Sequence, residues 1–268
     1  MSIVIWGASP WGQPIILHAA WYLLWYSLAA GLAFVALHAI WARLRPHAPA
    51  PAVSPEDASR YPARIARHTF PARLFHWVMA ACMLTLLATA FLPKVGLRFD
   101  WLGLHVLAGS VLVAAIVFHI VHALCCMDFR AIWPAPADLA ELRNLSGTSA
   151  AVRPGKYPLG NKLYHLAIVV LGLTMAVTGA CLLTRVRTDV MTRDPYRYFS
   201  DGGWGLVYAL HGLAGLSLVA LVIIHVYFAV RPEKWPITRA MLTGAMDRDF
   251  YLSHHNPARW RVGTRAAK

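Results

Sequence analysis

Two histidines fourteen residues apart, His211 and His225, sit in the otherwise apolar stretch HGLAGLSLVALVIIH. On a helix that separation is about 21 Å along the axis and returns both side chains to nearly the same face. Histidine in an apolar, membrane-length helix is costly unless something holds it, and neutral imidazole is a good ligand for iron. The chemistry this spacing suggests is two haems stacked along one helix, each taking one ligand from it. The pattern recurs. LHVLAGSVLVAAIVFH (Leu104–His119) matches LHGLAGLSLVALVIIH (Leu210–His225): in each, Gly follows the first His by four residues and the second His by fourteen. More weakly, FPARLFHWVMAACMLTLLATA matches YPLGNKLYHLAIVVLGLTMAVTG, with His76 over His165. A duplicated helix pair of this kind predicts a four-helix bundle with internal pseudo-symmetry.

The elements that would position these residues are membrane spans. The 268 residues are 58% hydrophobic and only 14% charged, with a mean hydropathy of +0.50, against about 25% charged in average globular chains. Five stretches are long enough to cross a hydrocarbon core of about 30 Å: Ile15–Trp41, Leu74–Leu92, Leu102–Cys126, Leu163–Leu183 and Leu206–Val230. The expected fold is all-α: an extra N-terminal transmembrane helix (1–45), a Pro/Ala-rich cytoplasmic linker (46–70), the four-helix bundle (71–230) and a basic cytoplasmic tail (231–268). The N-terminus lacks the basic start of a signal peptide and its apolar run is too long, so it is expected to remain as a span. Of the lysines and arginines outside the spans, 19 fall on one side and 6 on the other. The positive-inside rule then places the N-terminus outside and the C-terminus in the cytoplasm. The same topology explains the net charge of +13 and excludes nucleic acid as the partner. The four cysteines read as small buried apolar residues, because none has metal-site spacing.

Topology sorts the histidines by depth. The outer level has only His105 and His211, which face each other from the third and fifth spans as two ligands of one haem. Gly109 and Gly215 follow one turn along the same faces and leave room for a flat porphyrin or for close helix packing. The inner level has five candidates: His76, His119, His122, His165 and His225. The repeat favours His119 opposite His225, while His76 begins the second span at the same depth and Trp77 follows it.

The run RHTFPARLFHW, then LHVLAG, KYPLGNKL, the fourteen-spaced pair and MLTGAMDRDFYLSHHNPARW resembles the cytochrome b (gamma) subunit of respiratory formate dehydrogenases. The membrane cytochromes of nickel–iron hydrogenases and the bacterial cytochrome b561 group are similar. The resemblance implies a four-helix di-haem bundle with two haem b groups, a quinone site near the inner haem and residence in the bacterial cytoplasmic (inner) membrane. It implies His76 and His225 as ligands of the inner haem, with His119 the alternative to His76, and His105 and His211 as ligands of the outer. The family motif K-Y-N-A-G-Q-K, which helps to form the quinone site, reads here Lys156, Tyr157, Pro158, Leu159, Gly160, Asn161, Lys162. Gly160 and Asn161 are then the expected quinone contacts, and His165, which can donate and accept, is a candidate replacement for the lost Asn, the alternative being a remnant of the repeat that only packs.

The expected function is therefore a membrane-anchoring b-type cytochrome subunit that passes electrons between a periplasmic partner and quinone. The partners implied are an iron–sulfur or haem-c subunit and a catalytic subunit. The outer loop Thr184–Gly205, with Tyr196, Tyr198, Phe199 and Trp204, has a composition suited to docking. The tryptophans near the N-terminus suit the membrane interface, His18 and His38 suit interfacial or packing roles, and His254 and His255 suit an exposed tail turn. The rival readings are a stand-alone quinol oxidase and a His-lined metal transporter; against the latter, none of the five spans holds Asp or Glu.

Overall fold

A computed structural model of the chain describes residues 2–44, 53–146, 152–187 and 198–263. Among them, five helices are long and apolar enough to cross a membrane: α1 (Leu23–Leu44), α3 (Phe70–Phe91, extended by a 3₁₀ turn to Val95), α4 (Trp101–Cys126), α6 (Leu159–Leu183) and α7 (Asp201–Val230). The shorter helices are α2 (Pro55–Arg60), α5 (Arg143–Ser146), α8 (Trp235–Thr243) and α9 (Arg248–His254). Four short strands, β1 (Val4–Ala8), β2 (Pro14–Ala19), β3 (Arg64–Ala66) and β4 (Ala245–Asp247), complete the fold as two two-stranded antiparallel sheets. The long helices keep large apolar side chains exposed, among them Leu107, Val117, Val121 and Leu124 on α4 and Val170 and Val177 on α6. In a chain of this kind such a surface is solvated by lipid, and the helix satisfies its own backbone polar groups. The chain divides into two compact units.

The first unit comprises residues 1–36, 78–116 and 168–225. Its N-terminal segment differs from expectation. Residues 15–19 are strand, not helix, and the first span begins at Leu23 rather than Ile15. The reason is local. Ser9-Pro10-Trp11-Gly12 makes a turn in which Gly12 takes a positive φ of 78°, and Ser9 Oγ accepts the N–H groups of Trp11 (3.2 Å) and Gln13 (3.1 Å). β1 and β2 then pair from Val4 opposite Ala19 to Ala8 opposite Pro14. This hairpin seats on α7. A Cβ at Gly205 would collide with the Ile16 carbonyl, and one at Gly212 would lie 3.0 Å from Ala19 Cβ. α1 continues the contact: Ala19, Leu24, Leu216 and Val219 form one buried cluster, and Ser27 Oγ donates to the Leu216 carbonyl. A second cluster, Cys82, Leu86, Ala108 and Leu112, joins α3 to α4.

The second unit comprises residues 37–77, 117–167 and 226–268. Here the stretches expected to be a linker and a tail fold on each other. β3, from the linker, pairs with β4, from the tail, in the register Arg64–Asp247, Ile65–Met246 and Ala66–Ala245. Tyr61, Ile65, Met246, Tyr251, Leu252 and Trp260 form a shared buried core. Pro55 opens α2 behind Ser54, whose Oγ accepts the Asp57 N–H at 3.0 Å, a helix start that the sequence encodes locally. His38 Nδ1 lies 3.0 Å from Tyr227 Oη, and Arg231 Nη1 donates to the same oxygen at 2.8 Å, so His38 is tied into packing at the end of α7. Cys82 is buried, whereas Cys125 and Cys126 are exposed at the end of α4.

Candidate functional site

The structure brings His105 of α4 and His211 of α7 together. Their ring centroids are 6.3 Å apart, with the planes at 63°. Two metal–imidazole bonds of about 2.0 Å each, with about 1.2 Å from nitrogen to ring centre on either side, give a span of about 6.4 Å. The pair is therefore spaced to hold one metal ion between two imidazoles. Around it, Gly109 and Gly215 are not sites of close helix packing. A Cβ at Gly109 would meet only Leu86 Cδ2 at 3.8 Å, and one at Gly215 only Met175 Cε and Phe91 Cζ at 3.9 Å, all ordinary contacts. Gly179 of α6 faces the ring of His211, whose Cε1 would be 3.5 Å from an added Cβ. The donor set, the spacing and the flanking glycines fit a bis-histidine haem.

Two residues of this site are not singled out by the histidine spacing. Thr89 Oγ1 is 2.8 Å from His105 Nδ1, and Thr178 Oγ1 is 2.8 Å from His211 Nδ1. Both threonines are buried. The weaker repeat carries the signal for them: Thr89 and Thr178 each lie thirteen residues beyond His76 and His165, and in both copies another Thr precedes by four, Thr85 and Thr174.

The other histidines are placed differently. His225 lies on α7, fourteen residues beyond His211, and is exposed. His76 of α3 is half-buried beside Trp77, with ring centroids 5.1 Å apart. His119 stacks on Phe75 at 4.0 Å and 6°, and its Nδ1 is buried without a hydrogen-bond partner. His122 stacks on Phe118. His165 meets Trp133 edge-on at 5.8 Å, with Nδ1 likewise buried and unpartnered. Gly160 and Asn161 are exposed in the first turn of α6, and a Cβ at Gly160 would touch nothing within 4 Å. Among the described residues, no three His, Cys, Asp or Glu side chains gather as a metal site.

In the second unit the polar motifs converge. Arg67, only 3% exposed, donates to the Lys156 carbonyl at 2.9 Å, lies over the rings of Tyr157 and Trp260, and approaches His255 Nε2 at 3.4 Å. His255 is therefore not an exposed tail residue. It is buried, with Nδ1 2.7 Å from the Gly155 carbonyl oxygen, while His254 is exposed. The sequence hides this because the partners lie a hundred or more residues away. Burial pushes His255 down to about 4, against the opposing pull of the Gly155 carbonyl and with help from the Arg67 charge. Burial also lowers Arg67 to about 10, and it lowers His68 to about 3 with the charges of Arg67 and Lys156. Tyr157 is raised by burial. Beside this cluster, Lys162 Nζ bonds Asp138 Oδ2 at 2.8 Å, Arg259 bonds the other Asp138 oxygen, and the Leu159 N–H donates to Glu141 at 2.8 Å. Burial alone would raise the Asp138 carboxyl, but bonds from Lys162, the Ala135 N–H and Arg259 outweigh it and hold it below its ordinary value. The motif from Lys156 to Lys162 thus anchors the start of α6.

Of the loop Thr184–Gly205, residues 188–197, including Tyr196, lie outside the described residues. Tyr198 and Phe199 are exposed, but Trp204 is 2% exposed, packed edge-on against Phe199 and under Arg185, and offers no docking surface.

The model of the prokaryotic cytochrome b561 family matches residues 67–244, more than half of the chain. The formate dehydrogenase cytochrome b556 subunit of Haemophilus influenzae is 26% identical over 182 residues, spanning 62% of this chain and 71% of that one. The matched segment runs from Arg67, at the polar cluster, through all four helices that carry the paired histidines and threonines. The chain belongs to the prokaryotic cytochrome b561 family and is a multi-pass membrane cytochrome of b type.

Proposed function

We propose that this cytochrome is the membrane subunit of a larger oxidoreductase and carries electrons between a redox partner on the outer side and membrane quinone. The observation that carries the reading is the His105–His211 pair, at a ring separation of 6.3 Å that suits one iron between two imidazoles. Bound haem b supplies a one-electron couple. His105 and His211 would hold it together, and with both imidazoles as ligands the site would have no position open to oxygen and would serve electron transfer. A second haem, held by His76 and His225, rests on the family resemblance and on the fourteen-residue spacing along α7. Gly160, Asn161 and His165 are the proposed quinone contacts; an unpartnered Nδ1 on His165 gives it a polar atom to offer. The lysine and arginine distribution supports an N-terminus outside and a C-terminus in the cytoplasm, and the family resemblance supports the bacterial inner membrane. The relative's name, a formate dehydrogenase subunit, supports a catalytic subunit as partner, and an iron–sulfur or haem-c subunit between the two rests on the family resemblance.

The test is haem stoichiometry. A pyridine haemochrome assay on the purified chain should give two haem b groups, and quinol should reduce both. His105→Ala and His211→Ala should each lose one haem, and the same one. Retention of both haems in either variant would overturn the assignment, and full haem content in His76→Ala would move the fourth ligand to His119.

A further inference from the structure

The two threonines bear on which nitrogen of each paired histidine carries the proton. A hydroxyl has one hydrogen to give. Thr89 gives it to its own helix, where Oγ1 lies 2.8 Å from the Thr85 carbonyl oxygen and 3.1 Å from that of Leu86. Thr178 does the same, at 2.5 Å from the Thr174 carbonyl and 3.4 Å from that of Met175. This back-bonding is the ordinary behaviour of a threonine inside a helix. Toward the histidine, each hydroxyl then presents only lone pairs. With the hydroxyl hydrogen on the carbonyl, the 2.8 Å contact to Nδ1 is a hydrogen bond when Nδ1 donates, so the arrangement that satisfies every group at once is the Nδ1–H tautomer of both rings. A neutral imidazole has one N–H, and both Nε2 atoms are therefore left with lone pairs.

The arrangement is two-fold in the sequence as well. The helices that bring the histidines, α4 and α7, are each preceded in the chain by the helix that brings the threonine, α3 and α6. Both hydroxyls are deeply buried, with Thr89 3% and Thr178 6% exposed, and water does not compete for the imidazole N–H.

We propose that Thr89 and Thr178 are positioning residues of the metal site. They lock His105 and His211 as Nδ1–H tautomers and leave both Nε2 lone pairs to one iron. By accepting the Nδ1–H bonds they also make both imidazoles stronger donors, which lowers the reduction potential of that haem. The proposal rests on the bis-histidine reading above. Its physical basis is general: an acceptor on the far nitrogen of a metal-bound histidine fixes the ring and raises its basicity, and greater electron donation favours the oxidised iron.

The experiment is a redox titration of the full chain, followed at the haem absorption band. The wild type is compared with His105→Ala, which identifies the component belonging to this pair. Thr89→Val and Thr178→Val keep the side-chain shape and remove the acceptor. Each should raise the midpoint of that component alone, and the double variant should raise it further. Thr89→Ser and Thr178→Ser should restore the wild-type value, while Thr89→Cys, a weaker acceptor, should give an intermediate rise. Haem affinity at this pair should weaken about 10-fold or more in the valine variants. An unshifted midpoint in the valine variants with haem retained, or an equal shift of both components, would overturn the role of the threonines. A wild type with no component that His105→Ala removes would overturn the ligand reading instead.

Discussion

At the scale of single residues, His255 makes a prediction independent of any cofactor. It is neutral in the folded chain, with a pKa of about 4 against an ordinary value of 6.5. Between those values the unfolded chain takes up a proton that the folded chain refuses, and acidification therefore favours unfolding. Stability contributed by the neutral ring is fully present above about pH 6.5. It is lost at about 1.4 kcal/mol per pH unit as the pH falls toward 4. His68, at about 3, acts in the same direction. Thermal melts of the full chain should show a melting temperature that drops between pH 7 and pH 5, and His255→Phe should flatten that drop; an unchanged slope would reject the role of His255. The sequence made some residues legible and hid others for physical reasons. His105 and His211 stood out because a histidine in an apolar helix needs a partner and only two lay at that depth. Thr89 and Thr178 did not, because threonine in a helix satisfies itself and carries no comparable demand. His255 was misread because a pair of adjacent histidines in a polar tail resembles a surface turn until Arg67 and Gly155 are placed beside it.

At the scale of elements, the sharpest dependence is the seat of the β1–β2 hairpin on α7. Gly205→Val places a branched side chain where the Ile16 carbonyl lies. Overpacking of this kind costs about 1–3 kcal/mol. The expected result is a hairpin lifted from α7, read as faster proteolytic cleavage within residues 4–19 while α7 remains helical; cleavage as slow as in the wild type would show that the seat is not needed. The hairpin was not legible because apolarity is continuous from Ile15 into α1, and apolarity alone does not separate strand from helix. The punctuation was there, in Pro10, Gly12 and Pro14. The long helices α3, α4, α6 and α7 were legible for the opposite reason: length and apolarity suffice to define a span. β3 and β4 were not, since three-residue strands leave no periodic trace and their partners are about 180 residues apart.

At the scale of the whole molecule, the distribution of basic residues predicts an orientation. A reporter enzyme that is active only outside the cytoplasmic membrane, fused after Lys268, should remain inactive; activity there would invert the topology and exchange the two sides of the proposed electron path. The hairpin seat and the β3–β4 pairing share a further property, which concerns the making of the protein rather than its use. In each, an early stretch of the chain finds its partner in a late one: residues 16–19 wait for Gly205 and Gly212, and residues 64–66 wait for 245–247. During synthesis at roughly 5–20 residues per second, the hairpin therefore emerges ten seconds or more, on the order of the chain's own elongation time, before α7 exists to receive it. Residues 16–19 stay without their seat until α7 is made, and residues 64–66 stay unpaired until β4, beyond the last span, has followed it. Translation that stops before α7 would release both early segments with no place to dock, and the quality control of the membrane would meet them first.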